Sequence, residues 1–131
     1  MTRRAATFVA AWFLLVGPAA RAQAGDTVRG ERLFQYCFSC HSVERGETTL
    51  PGPNLRGIVG RRIAAQNGFA YSPSMRAFAE REALWSEALL DRYLAAPYVV
   101  VPRTSMSFPG IAEPEERSDL IAYLRSTGGR E

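Results

Sequence analysis

A chain of 131 residues with a formal net charge of +3 has room for one domain and too little positive charge for a nucleic-acid binder. Three of its 16 basic residues, all arginine, lie in the first 24 positions, so residues 25 to 131 set 13 arginines against 13 Asp and Glu. Two cysteines are too few for a disulfide-built scaffold.

The first 24 residues differ from the rest. Arg3 and Arg4 lead into an Ala-rich apolar run from Ala5 to Gly17, then Pro18, then the small-x-small triplet Ala22-Gln23-Ala24. This is the pattern of a cleavable signal peptide, cut after Ala24. An uncleaved anchor is the rival reading, but the run is shorter than the ~20 residues that span a bilayer. The Arg pair alone is a weak signal for twin-arginine export. The expected organisation is a leader over 1–24 and a single domain over 25–131.

From Asp26, a natural N-cap, Gly30, Leu33, Phe34, Cys37, Phe38 and His41 recur at three- and four-residue steps. The spacing predicts one helix whose face carries an aromatic ring, both thiols and the imidazole. Residues 44 to 68 are punctuated by Gly, Pro and Asn and read as a long ordered loop. Ser72-Pro73 opens a short helix to about Ala79, and Ser86 caps EALLDRYLAA, which stops at Pro97. Val99-Val100-Val101, held between Pro97 and Pro102 without a partner strand, is expected to be extended loop. Pro114, Glu115 and Glu116 begin a last helix through Arg125, with Leu120, Tyr123 and Leu124 inward and Gly128 beyond its end.

The chemistry lies in Cys37-Phe38-Ser39-Cys40-His41, which holds both cysteines and the only histidine. A zinc site would need a fourth Cys or His ligand that the chain lacks. A thioredoxin-type redox pair belongs at a helix start among alternating strands and helices, which are not seen here. A plain disulfide would close a loop of two intervening residues and leave His41 unexplained. Covalent attachment of one haem accounts for all three residues: on a helix, i, i+3 and i+4 share a face, so two thiols reach one porphyrin edge while the imidazole reaches the iron. With no second histidine, the other axial position falls to a methionine. Met106, in the Pro-bounded loop Val101 to Phe108, is preferred over Met75, whose helix position suits a core role.

These residues, followed in order by GPNLRGIVGRR, GFAYS, Trp85, RYLAAP, VPRTSMSF and DLIAYL, resemble the class I cytochromes c over essentially all of 25–131. The resemblance implies an all-α cytochrome c fold: three main helices, a short helix and long ordered loops wrapped around one covalent haem c. It implies that the Pro53 carbonyl accepts a hydrogen bond from His41, that Arg61, Tyr71 and Trp85 serve the haem propionates, and that Tyr93 and Thr104 line the side of Met106. Gly30 and Phe34 would meet Leu120 and Tyr123 where the first and last helices cross. The implied function is electron transfer without catalysis. The carrier would be a monomeric periplasmic protein working between respiratory complexes such as an oxidase and a quinol-oxidising complex. A dedicated acceptor or small cytochrome subunit of a periplasmic dehydrogenase is the alternative. An open-site haem enzyme or gas sensor, and a disulfide-stapled binding module, are the readings from other classes. Two departures stand out: about three extra residues between Tyr71 and Trp85, and Tyr98, Val99, Val100 and Ser105 where relatives commonly carry lysines. Arg45, Arg62 and Arg103 would supply part of that cationic face.

Overall fold

The computed structural model describes residues 24–129, and the reading of 1–24 as a leader therefore lies outside the described residues but for Ala24. Asp26 caps the first helix, α1 (Thr27–Leu33), its Oδ1 accepting from the amides of Val28 and Arg29 at 2.8 and 3.0 Å. α1 then tightens into a 3₁₀ turn over Phe34–Tyr36, and Cys37 to His41 follow in a turn. The expectation of one continuous helix to His41 is corrected: the Cys37 carbonyl accepts from both Cys40 N (3.0 Å) and His41 N (2.9 Å), so a shared acceptor holds the motif's spacing.

Three further helices follow before the last. α2 (Pro73–Ala79) starts at Ser72, whose Oγ accepts from Met75 N at 3.1 Å, and α3 (Glu87–Ala95) starts at Ser86, whose Oγ accepts from Leu89 N at 3.1 Å. α4 (Pro97–Val100) overturns the extended-loop expectation. Pro97 occupies a first-turn position that suits its locked φ, and the Val101 amide closes the turn onto the Pro97 carbonyl at 2.9 Å. α5 (Pro114–Thr127) runs two residues past Arg125. The described residues contain no strand. An isolated antiparallel bridge between Arg62 and Leu84 ties the long loop to the start of α3.

α1 crosses α5 at Gly30, where a Cβ would sit 2.0 Å from the Asp119 carbonyl oxygen and 2.7 Å from Tyr123 Cβ; no side chain fits. Phe34 packs on Tyr123 with ring centroids 5.7 Å apart, as the resemblance implies. The crossing is clamped by Asp119, a buried carboxylate accepting from Asp26 N (2.6 Å) and Arg29 Nε (2.8 Å). A second buried ion, Arg117, joins α5 to Asp91 of α3 and to the Ile111 and Ala112 carbonyls. Leu120, fully buried at the centre, contributes about 2–3 kcal/mol by its removal from water. Around it Leu89, Leu90, Tyr93, Leu94 and Leu124 complete a core with Trp85 and Phe78 at one end.

Candidate haem site

The histidine is held by backbone. Its Nδ1–H donates to the Pro53 carbonyl at 2.7 Å, and because a carbonyl only accepts, Nδ1 carries the proton and Nε2 keeps a free lone pair. Burial keeps the imidazole neutral by pulling its pKa below the ordinary value, with the Pro53 bond opposing. The approach depends on Gly52: a Cβ there would lie 2.5 Å from His41 Cε1 and 2.7 Å from the Cys40 carbonyl oxygen. Of the two thiols, both unpaired, Cys37 is half-buried and Cys40 exposed. Burial, helped by Cys40, pushes the Cys37 thiol up to about 11, so it stays protonated at neutral pH.

A second group forms around the methionine. The Tyr93 hydroxyl lies 3.8 Å from Met106 Sδ, and Thr104 Oγ1 accepts from Met106 N at 3.3 Å. Burial raises the Tyr93 pKa, with a hydrogen bond to Thr104 opposing, so the hydroxyl keeps its proton and remains a donor. Trp85 stacks behind Tyr93 at 5.0 Å between centroids. Met75 packs against the core from α2, and no donor among the described residues lies at its sulfur.

The third group is centred on Arg61. Its guanidinium is half-buried, donates to the Asn54 (2.8 Å) and Arg56 (3.2 Å) carbonyls, and pairs with no carboxylate among the described residues. Burial lowers its pKa, which marks a cation short of solvent and of counter-charge. The backbone joins Trp85 to this group, its amide donating to the Arg61 carbonyl at 2.9 Å. Tyr71 is joined less directly: its hydroxyl accepts from Gln66 N at 3.2 Å, and Gln66 Oε1 accepts from Asn54 N at 2.7 Å.

Asn54 and Gln66 were not singled out from the sequence. Asn54 also donates from Nδ2 to the Glu44 and Glu47 carbonyls and accepts at Oδ1 from Arg56 N, so it organises the whole loop. Its place in Pro53-Asn54, after two prolines, was the available signal, since Asn is a turn former through such bonds. Gln66 carried none.

These donors fit a haem. Two thiols lie beside an imidazole with one free nitrogen lone pair, a thioether lies near a neutral donor, and a half-buried cation without a carboxylate partner among the described residues suits an anionic group such as a propionate. The described residues contain no group of three or more His, Cys, Asp or Glu arranged for a metal ion.

The family model for cytochrome c matches residues 27–128. The chain belongs to the cytochrome c family. It is similar to cytochrome c of Chlamydomonas reinhardtii, 45% identical over 107 residues, covering 81% of this chain and 93% of that protein. It is also similar to cytochrome c2 of Rhodomicrobium vannielii, 41% identical over 118 residues, with 88% and 90% covered. Among solved structures it matches cytochrome cH from Methylobacterium extorquens with a TM-score of 0.69 and 37% identity, over 78% of this chain and 99% of that one. The all-helical architecture is therefore the cytochrome c fold. As in this family, the cofactor is haem c, covalently bound through Cys37 and Cys40, and the function is electron transfer. No helix among the described residues is long and apolar enough to cross a membrane.

Proposed function

We propose that residues 25 to 131, freed from a leader cut after Ala24, form a soluble periplasmic cytochrome c that carries single electrons between respiratory complexes. His41 Nε2 and the Met106 thioether would hold the haem iron. When bound, the haem supplies an iron centre that takes up and returns one electron.

The residues of this chain hold that centre unchanged through the cycle. Pro53 fixes the tautomer and plane of His41, and the Tyr93 hydroxyl restrains Met106. With the haem bound, the soft Met106 thioether would favour the reduced metal and, together with His41, would keep oxygen and peroxide from the iron. Arg61 neutralises a propionate, with Tyr71 and Trp85 beside it, and Thr104 keeps the Met106 loop turned inward. Carrying an electron needs no side chain as acid, base or nucleophile, and the protein works as a carrier.

The observation that carries this reading is the Tyr93 hydroxyl at the Met106 sulfur, because the second ligand separates a carrier from an open haem site. The test is a visible spectrum with a redox titration on protein from the periplasm, repeated for Met106→Ala and Met75→Ala. Reversible one-electron behaviour is expected. Met106→Ala alone should change the spectrum and admit carbon monoxide to the reduced protein; an unchanged Met106→Ala spectrum would remove the ligand assignment. The exposed Tyr98 and Val99 favour one second reading, a dedicated acceptor or small subunit for a periplasmic dehydrogenase. Electron transfer to such a partner would vary little with ionic strength, whereas charge-steered exchange falls steeply.

A further inference from the structure

One concave surface contains none of the residues assigned to the haem. A groove of about 560 Å³ opens between the end of α2, the outer side of α3, and α4. Phe78, Leu89, Val99 and Val100 supply apolar lining, and Arg81 and Arg92 are the two cations that line it. Val99 is 77% exposed, the most of any large apolar side chain described, and Tyr98 beside it is 49% exposed. Burying such surface is what an association gains most from, and exposed apolar groups rimmed by charge mark contact sites.

The rim specifies the charge of what lies there. Arg81 and Arg92 are both exposed and neither pairs with a carboxylate among the described residues. The Arg81 guanidinium rests 5.7 Å from the centroid of Phe78, which holds it over the apolar lining. Against these two cations the groove has a single carboxylate, Glu82. A neutral apolar occupant would leave both guanidinium groups unused, and a cationic one would be repelled.

We propose that this groove docks a segment of a protein partner that presents apolar side chains flanked by carboxylates. This deepens the carrier reading and rests on it for the nature of the partner, a redox protein. Apolar side chains enter between Val99 and Phe78, and the carboxylates meet Arg81 and Arg92 as charge-assisted hydrogen bonds. Because α4 runs directly into the Val101 to Met106 loop, a partner held on α4 is also held next to the segment that carries Met106. The arrangement suits retention in a complex more than brief encounter, since an apolar centre slows dissociation while rim charges mainly speed arrival.

The probe is an acetylated, amidated peptide of sequence Glu-Leu-Glu-Glu-Phe-Glu, titrated into isotopically labelled reduced holoprotein and followed by amide chemical shifts. Saturable shifts are expected at Arg81, Arg92 and Val99. At least tenfold weaker binding is expected for the same peptide with Ala for Leu and Phe, and for the Val99→Asp and Arg81→Gln/Arg92→Gln proteins. Equal binding of the Ala peptide, shifts confined to other surfaces, or no binding would overturn the proposal. So would shifts at these residues produced by concentrating the protein alone, which indicate a second copy, or by phosphatidylglycerol vesicles but not the peptide, which indicate a lipid surface. Redox titration of the same samples separates the two readings. A reversible carrier that ignores the peptide fails only the groove, and a peptide binder without a one-electron couple fails only the carrier.

Discussion

At the scale of single residues, Arg103 and Ala64 are the two described non-glycine residues in the left-handed region, and Arg103 sits beside the site. Thr104 N donates to the Val101 carbonyl at 3.1 Å, with Pro102 second and Arg103 third at φ 61°, the geometry of a type II turn whose third position favours glycine. Ser74 of α2 adds a bond to the Arg103 carbonyl at 2.9 Å and so ties α2 to the loop that carries Met106. A side chain in this left-handed region costs about 1–2 kcal/mol, and glycine returns part of that to the greater freedom of the unfolded chain. Arg103→Gly should therefore stabilise the holoprotein by about 0.5–1 kcal/mol, and Arg103→Val should destabilise it, both read from denaturant midpoints. If the two variants move the midpoint in the same direction, the turn is not under strain.

At the scale of elements, the junction of α1 with α5 is the most specified. Asp119→Ala removes the acceptor for the Asp26 amide and for Arg29, and should cost about 2 kcal/mol in denaturant unfolding; Arg29→Ala should cost less, because its side chain is largely solvated. The cap at Asp26 gives a pH signature. Bonds from the Arg29 and Val28 amides hold its carboxyl below the ordinary 3.8, burial opposing. A depressed folded-state pKa means stability that is complete above 3.8 and lost as pH falls through the folded value. The gap in stability between the native chain and Asp26→Ala should thus be open at about pH 7 and narrow at about pH 2.5. These helix starts were legible because capping is local chemistry: Asp26, Ser72-Pro73, Ser86 and Pro114 each open an element. Val99 to Val101 misled because β-branched side chains suggest extension, yet a proline in the first turn and the bonds from the Val99 and Val100 amides to Ala96 and from the Val101 amide to Pro97 decide four residues. The motif from Cys37 to His41 was legible as chemistry but not as helix, since periodicity cannot tell an α-helix from a tightened turn that keeps the same spacing. The links from Arg61 through Asn54 and Gln66 to Tyr71 were illegible, because residues 7, 12 and 5 apart meet only once the whole loop has closed.

At the scale of the molecule, the helices are too short to stand alone. α1 and α2 have 7 residues each, α3 has 9 and α4 has 4, below the roughly 12–15 at which an isolated helix becomes marginal, and only α5, with 14, reaches it. Leu55, Met75, Met106 and Phe108 lie at the edge of the core and are only partly buried by protein. A Cys37→Ser/Cys40→Ser chain stripped of haem should lose more than about half of its helical ellipticity and its cooperative unfolding transition. Retention of a sharp transition would mean that the apolar core alone suffices. The same architecture predicts where a genetic screen for haem loss would find its hits. The acceptor that orients His41 belongs to the main chain at Pro53, so an exchange of side chain at 53 can leave it in place, whereas at Gly52 a single added methyl strikes the imidazole. The orientation of the imidazole is thus encoded one residue away from the atom that performs it.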